Sequence, residues 1–443
     1  MACGKEYDED VENLRNLFHT KNIVKFEIKF IKCTPGSCSG DNYMSYVHRL
    51  LLSEYEEEYS TGTEMGTNLL SYIVKRQITN KARRQLYRCD EAFDNEINAY
   101  TFAVPMLENY AKDVLFPKCF FAGTDKNGQS LIILNDLKAL GYRMHNRLVS
   151  MNLHYCELVM KQLAKLHAAS ITAKQMNYEH FSERCNHVQE IVYNSKAEEC
   201  YRNMIENSIG EALNSLRRSN VDGCLTEPIR IIEKLQTKMY HQIQEYITKP
   251  EESIKVLCHG DLWVNNIMFA TATPTTPIPV RNQREQKDLP EVIFFDLQVM
   301  RYTSPVFDIL HFIYTSTKRD LREAYTNTLL ETYCLELSTI LGTTFRNDAT
   351  DLKYLRSIFN LRNITEEYYK YVLYGLAIAM WVLPAITFDP NNLPNLDTIS
   401  QMNTSAKDIK CTQILTHEYH SRVKDLALEF YQNGYLNSYI SDI

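Results

Sequence analysis

The chain has 443 residues, more than one ordinary compact domain holds and enough for two lobes. Hydrophobic residues make up 44% and charged residues 23%, which excludes disorder as its overall state. A formal net charge of −7 without a basic stripe excludes sequence-independent binding to nucleic acid.

The opening MACGKEYDED has no apolar core, so no signal peptide is expected and the chain reads as cytoplasmic. Its 12 cysteines include no CxxC pair, which speaks for free thiols and against a zinc site. The first 130 residues read as strand-rich. Val24, Phe26, Ile28 and Phe30 alternate with Lys25, Glu27 and Lys29, the period of a half-buried strand. A turn-like run from Thr34 to Asn42 follows, then a returning strand from Tyr43 to Leu52 and a third from Leu69 to Val74. Glu91 to Phe102 reads as a helix, and Leu131 to Leu134 as a buried strand.

Beyond residue 140 the period becomes helical, with Leu153, Cys156, Val159, Met160, Leu163 and Leu166 on one face. Val256 to Cys258 and Val292 to Phe295 are short apolar runs that read as strands. The polar segment Thr271 to Leu289 between them reads as a surface excursion. Residues 317 to 443 are helical again. Val372 to Phe388 has the length of a membrane span, but Pro384 interrupts it and Asp389 follows, so a buried core helix is expected and no membrane insertion. A strand-rich front and a helical back predict an α+β protein of two unequal lobes.

The most specific run is His259-Gly260-Asp261-Leu262-Trp263-Val264-Asn265-Asn266. In phosphoryl transfer a loop Asp orients the accepting hydroxyl and a nearby Asn ligates magnesium. Each residue type is also common in plain turns. A chance match to HGDxxxxN is on the order of one in a thousand for average composition. In Val292-Ile293-Phe294-Phe295-Asp296 a strand delivers a carboxylate, and Asp296 beside Asn266 makes a magnesium pair. For Asp308, at the start of another apolar stretch, two readings stand level: a helix cap, or a carboxylate bracing the catalytic loop.

In the front part, Lys75 ends an apolar run and suits phosphate charge, with Glu96 on the following helix as its partner. Gly36, Ser37, Ser39, Gly40, Asp41 and Asn42 form a small-residue loop whose backbone N–H groups could meet phosphate oxygens, although taken alone it reads better as a plain hairpin turn. The order glycine loop, Lys, Glu, HGDxxxxN, Asp is the kinase arrangement. Tyr368, Tyr369, Tyr371, Tyr374 and Trp381 suit either an acceptor pocket or, the reading favoured here, core.

With these residues in hand, the chain resembles the ecdysteroid kinase-like family of insect small-molecule kinases, relatives of the choline and aminoglycoside kinases. HGDLWVNNIMF and IFFDLQ…SPVFDI carry most of the likeness, supported by GSCSGDNYMS, SYIVK, FDNEINAY, LIILNDLKALGY and LAKLHAAS. The resemblance implies a protein-kinase-like fold with an N-terminal lobe 1–134, a hinge 135–138 and a helical lobe 139–443. It implies ATP and Mg2+ as cofactors and the hydroxyl of a small molecule as acceptor, with no obligate protein partner.

By this likeness Asp261 is the catalytic Asp, and Asn266 and Asp296 the metal ligands. Lys75 holds phosphate, Glu96 anchors it, and the loop from Gly36 to Asn42 covers the phosphates. Leu134, Asp136 and Leu137 read adenine through the backbone of the hinge, and His259 and Asp308 support the loop. Asn135 stands where the family usually has Glu, and Leu297-Gln298 replaces the glycine that follows this Asp in protein kinases. The acceptor is an ecdysteroid or a plant-derived or xenobiotic alcohol. A choline- or aminoglycoside-type kinase and a non-catalytic nucleotide binder are the other readings.

Overall fold

The computed structural model describes residues 3–36, 44–53, 70–111, 113, 115–271, 290–389 and 415–439. Helix α1 (Cys3–Thr20) precedes five strands: β1 (Phe30–Pro35), β2 (Ser45–Ser53), β3 (Leu70–Gln77), β4 (Cys119–Thr124) and β5 (Ser130–Asn135). These strands make one antiparallel sheet in the order β1-β2-β3-β5-β4. Between β3 and β4 lie α2 (Lys81–Tyr87), α3 (Cys89–Asn98), a π-helical turn (Ala99–Ala103) and α4 (Val104–Glu108).

Alternation along β3 divides the work of the sheet. Tyr72 and Val74 face a core made with Leu14 and Phe18 of α1, where Phe18 meets Tyr72 edge to face at 5.0 Å. Lys75, on the opposite face, reaches Glu96 of α3. The sheet therefore hides one apolar face under α1 and turns the other toward the chemistry.

Two expectations fail in this region. The alternating segment from Val24 to Lys29 is not a strand, because the ladder begins at Phe30. Val24 and Ile28 are buried against the sheet all the same. Alternation reports which side chains are covered, whereas a strand also needs backbone partners. Helix α1 itself was not foreseen. Its start, CGKEYDED, is polar, and its stability comes from burying Leu14 and Phe18 rather than from propensity.

The rest of the described chain is mainly helical: α5 (Leu153–Met176), α6 (Tyr178–Cys185), α7 (Glu198–Ser219), α8 (Thr226–Leu235), α9 (Met239–Thr248), α10 (Val306–Ser316), α11 (Arg319–Thr344), α12 (Ala349–Ile358), α13 (Leu361–Lys370), α14 (Leu373–Thr387) and a C-terminal helix (His417–Gln432). Helix α5 begins where the Asn152 side chain accepts the Tyr155 N–H at 3.1 Å. It buries Cys156, Val159, Met160, Leu163 and Leu166, and packs on α11. Each such aliphatic side chain contributes roughly 1.5–3 kcal/mol on burial. Helix α14 crosses α10 closely: a Cβ at Gly375 would lie 2.3 Å from the Tyr314 ring.

Among the described residues no single helix is long and apolar enough to cross a membrane. Helix α14 is a core helix, with Leu373, Leu376, Met380 and Leu383 all buried. Tyr368, Tyr371 and Tyr374 are buried beside it, so they belong to the core. Cys89, Cys156, Cys185, Cys258 and Cys334 are buried free thiols.

Small strands inserted among the helices position the loops. β7 (Val256–Cys258) pairs with β10 (Arg301–Thr303), and β8 (Ile267–Ala270) lies between β6 (Tyr142–Met144) and β9 (Val292–Phe294). The two apolar runs seen in the sequence, β7 and β9, thus belong to different sheets. The partners that make them a frame, β8 and β10, are four- and three-residue strands too short for periodicity to reveal.

Candidate active site

Every described carboxylate and amide of the motif is held on a frame. Buried β7 delivers His259, and the chain then turns at Gly260 with φ of +85°. A Cβ there would lie 1.9 Å from the Val299 carbonyl oxygen, so only glycine fits. The corner's buried N–H groups are satisfied by Asp308 of α10. Oδ2 accepts the His259 N–H at 2.6 Å and Oδ1 accepts the Gly260 N–H at 2.8 Å.

Asp308 also meets His167 Nε2 of α5 at 3.3 Å, while His167 Nδ1 meets the Tyr333 hydroxyl at 2.9 Å. Burial alone would raise the Asp308 pKa. The His167 hydrogen bond and charge, with the Gly260 N–H, outweigh it and bring it to about 2. Pro305 precedes α10, so Asp308 sits inside its first turn and spends its oxygens on the catalytic corner rather than on its own helix.

His259 is fully buried, and its ring orients two loops at once. Nδ1 accepts the Asp261 N–H at 3.3 Å, which leaves Nε2 to donate to the Phe295 carbonyl at 3.0 Å. Burial lowers its pKa and keeps it neutral, as those roles require.

Asn266, at the end of a 3-10 turn (Val264–Asn266), donates from Nδ2 to the Asp261 carbonyl at 2.8 Å and to Asp261 Oδ2 at 2.9 Å. Across the ladder the Phe295 N–H donates to the Asn266 carbonyl at 3.1 Å, which sets Asp296 next to Asn266. Asp296 has φ of +67°, a left-handed conformation unusual outside glycine and costly enough to suggest function. Burial, then the charge of Asp296, push the Asp261 carboxyl up to about 7.

Lys75 joins the two halves. Its Nζ lies 2.5 Å from Glu96 Oε2 and 2.6 Å from Asp296 Oδ1. Burial would lower its pKa, but Asp296 and Glu96 outweigh that and hold it protonated. Burial raises the Glu96 pKa against the pull of Lys75. Helix α3, which carries Glu96, is anchored by its neighbour: Asn95 Nδ2 donates to the Gln298 and Met300 carbonyls at 3.1 and 3.0 Å. Glu96 is therefore tied to the segment that follows Asp296.

The structure thus gathers Lys75, Glu96, Asp261, Asn266 and Asp296, with His259 and Asp308 beneath them. Gly36 ends the first strand, where its N–H donates to the Val47 carbonyl at 2.9 Å. Ser37, Ser39, Gly40, Asp41 and Asn42 lie outside the described residues, as do 272–289 of the polar excursion.

Leu134 and Leu137 are buried in the 135–138 neighbourhood. The Asp136 side chain has a structural task of its own. Its carboxylate is taken up by Arg49 Nε at 2.5 Å, Ser71 Oγ at 2.8 Å and the Lys138 N–H at 3.0 Å. The side chain therefore clamps β2 and β3 to this segment, and only its backbone remains to meet a nucleotide.

Sequence reasoning missed four side chains here: Arg301, Glu190, His311 and His167. Arg301 is 2% exposed, pairs with Glu190 at 3.1 Å, and donates to the Gly260 carbonyl at 3.2 Å and the Tyr374 hydroxyl at 2.9 Å. His311 follows Asp308 by one helical turn, a spacing that could have flagged it.

A family model described as the ecdysteroid kinase-like family matches residues 39–344, more than half of the chain. The chain belongs to the ecdysteroid kinase-like family. Its two-lobed α+β architecture is kinase-like, and membership places it with small-molecule kinases. No curated protein matches the sequence.

Solved structures share the overall trace weakly. A putative aminoglycoside phosphotransferase from Ralstonia eutropha is 10% identical, with 97% of this chain and 98% of that one covered and a TM-score of 0.42. A microcompartment-associated aminopropanol kinase is also 10% identical, at 88% and 90% coverage and 0.38. The GDP complex of an aminoglycoside 2'-phosphotransferase-IIIa variant is 12% identical, at 92% and 93% coverage and 0.38. Likenesses of this size say nothing about the substrate.

Proposed function

We propose that this ecdysteroid kinase-like protein transfers the γ-phosphoryl group of ATP to an alcohol of a small molecule. The observation that carries the reading is Lys75, pinned between Glu96 of α3 and Asp296 beside the Asp261–Asn266 pair. Five groups from distant parts of the chain meet there. Phosphoryl transfer asks for a phosphate-binding cation with its anchor, an acceptor-orienting carboxylate and two oxygen ligands for a metal.

The donor set fits magnesium. Asn266 commits its Nδ2 to Asp261, which leaves the carbonyl Oδ1, and Asp296 contributes a carboxylate. Both are hard oxygen donors. When bound there, Mg2+ supplies charge compensation for the phosphate oxygens. Lys75 would turn from Asp296 toward the phosphates, with Glu96 keeping it extended. Asp261 orients the alcohol and takes its proton as the new P–O bond forms and the bond to ADP breaks.

In this reading residues 1–134 hold the nucleotide, 135–138 hinge the lobes with backbone groups facing adenine, and 139–443 carry the catalytic loop and acceptor site. The loop from Gly36 to Asn42 covers the phosphates. The acceptor we favour is an ecdysteroid or a plant-derived or xenobiotic alcohol, in line with the family. Buried Tyr368, Tyr371 and Tyr374 form no open aromatic cage of the kind a choline site needs.

The test is purified protein with Mg2+, γ-labelled ATP and a panel of ecdysteroids, plant glycosides, choline and aminoglycosides. A phosphate monoester on an ecdysteroid or plant alcohol is expected. Nucleotide that binds but is never consumed with any alcohol would overturn the proposal.

A further inference from the structure

Behind Asp261 runs a buried line of polar groups that lies outside the HGDxxxxN motif. Glu190 pairs with Arg301, and Arg301 Nη2 donates to the Tyr374 hydroxyl at 2.9 Å. The Tyr374 hydroxyl also lies 3.2 Å from His311 Nδ1, and the assignment that gives its own hydrogen an acceptor has it donated to that nitrogen. A neutral imidazole that accepts at Nδ1 carries its hydrogen on Nε2. His311 Nε2 is buried and makes no hydrogen bond of full geometry among the described residues, although the Gly260 carbonyl lies close enough to act on the ring. The nearest carboxylate oxygen recorded for it is Asp261 Oδ1, 3.5 Å away.

Three observations set this ring apart from ordinary core. Its neighbours on α10, Ile309, Leu310, Phe312 and Ile313, are all apolar and fully buried, so an aliphatic side chain would be the default at this position. An orphaned buried donor is costly, and native proteins retain few of them without a reason. The side chain it faces is the most exposed carboxylate of the cluster, with 22% of Asp261 accessible against 14% of Asp296, and so able to meet a substrate.

Asn266 Nδ2 already holds Asp261 Oδ2 at 2.9 Å. We propose that His311 is a positioning residue for Asp261: its Nε2–H steadies Oδ1 as Asn266 steadies Oδ2, fixing the plane in which the carboxylate meets the acceptor hydroxyl. The inference rests on the phosphotransferase reading. At 3.5 Å the contact is longer than a hydrogen bond, and catalytic contacts of this kind are commonly long in unliganded enzymes and tighten when the site is loaded. Tyr374 acts one step further back. By donating to Nδ1 it selects the tautomer that leaves Nε2–H aimed forward, and Arg301 and Glu190 hold Tyr374 in that role.

Two measurements decide the proposal. In the first, His311→Leu and His311→Gln are compared for kcat and KM with Mg·ATP, using ecdysone as the probe alcohol. Glutamine keeps an N–H donor of similar reach, and leucine keeps only bulk. His311→Leu is expected to lose roughly tenfold to a hundredfold in kcat, the scale of a misplaced catalytic group. KM for ATP should stay unchanged, and His311→Gln should recover most of the loss. Equal losses in the two variants, or none in His311→Leu, would overturn the idea.

The second measurement is independent of turnover. Nitrogen-15 histidine spectra, with His311 assigned by its disappearance in His311→Gln, should show a neutral ring protonated on Nε2. That signal should move in Asp261→Asn. An Nδ1-protonated ring, or a signal indifferent to Asp261→Asn, would overturn the contact. A wild-type protein that phosphorylates no alcohol defeats the kinase reading, while the spectra still decide whether His311 holds Asp261.

Discussion

Replacing Asp308 by asparagine tests the scaffold beneath the catalytic loop. The native carboxylate accepts three hydrogen bonds, from His259 N, Gly260 N and His167 Nε2. An amide has one oxygen. In its better orientation the oxygen keeps the His259 and His167 donors and the NH2 faces the Gly260 N–H, donor against donor. One bond to a charged acceptor, worth about 1.5–3 kcal/mol, is lost, and the other two weaken on losing the charge. The expected cost is roughly 3–5 kcal/mol.

Unfolding entropy is about 2.1 cal/mol/K per residue, so over 443 residues that cost corresponds to a fall in Tm of roughly 3–5 °C. Calorimetry at neutral pH measures it. The pH dependence gives a second handle. The folded Asp308 carboxyl lies at about 2 against an ordinary 3.8, a depressed value. Its contribution, about 2 kcal/mol, is fully present above the unfolded pKa and is lost as pH falls through the folded one. Between about pH 4 and 2, Asp308→Asn should therefore lose less stability than wild type. A variant within 1 °C of wild type (about the resolution of such a comparison), with the same acid limb, would refute this reasoning.

Other substitutions probe other parts. Gly260→Ala must drive a Cβ into the Val299 carbonyl at φ of +85°, so it should yield little soluble protein, or a folded minority without activity, as expression and gel filtration would show. Glu429→Gln breaks a buried two-pronged pair with Arg322 Nε and Nη2, which ties α11 to the C-terminal helix and touches none of the site residues named above. It should lower stability by about 3–5 kcal/mol, read in denaturant or by calorimetry, without altering KM for ATP. Lys75→Met strands two carboxylates, the buried Glu96 and the half-buried Asp296, in one cleft. Nucleotide titration should show weakened ATP affinity and a kinetic assay a sharply lower kcat.

The legible part of the site was the part encoded locally. Asp261 and Asn266 come from one loop, and Asp296 ends one strand, so residue type and spacing were enough to single them out. Lys75 and Glu96 could be paired because they lie 21 positions apart, in a strand and the second helix after it. The supports were opaque for the opposite reason. Arg301 meets Glu190 across 111 positions and Tyr374 across 73, and no period in a single chain records such pairings.

Asp136 shows a different limit. A hinge after the strand Leu131 to Leu134 was expected to use its backbone, but nothing in the sequence said that Arg49 and Ser71, from two other strands, would claim the carboxylate. The segment from Val24 to Lys29 shows a third limit, since apolar alternation marked buried side chains correctly and pairing wrongly.

The most direct test of the whole account is the magnesium dependence of phosphoryl transfer in purified wild type and Asp296→Asn, with folding of both checked by circular dichroism. The account predicts metal-dependent transfer to an alcohol in wild type and almost none in the folded variant. Transfer at the wild-type rate by a folded Asp296→Asn protein would contradict it.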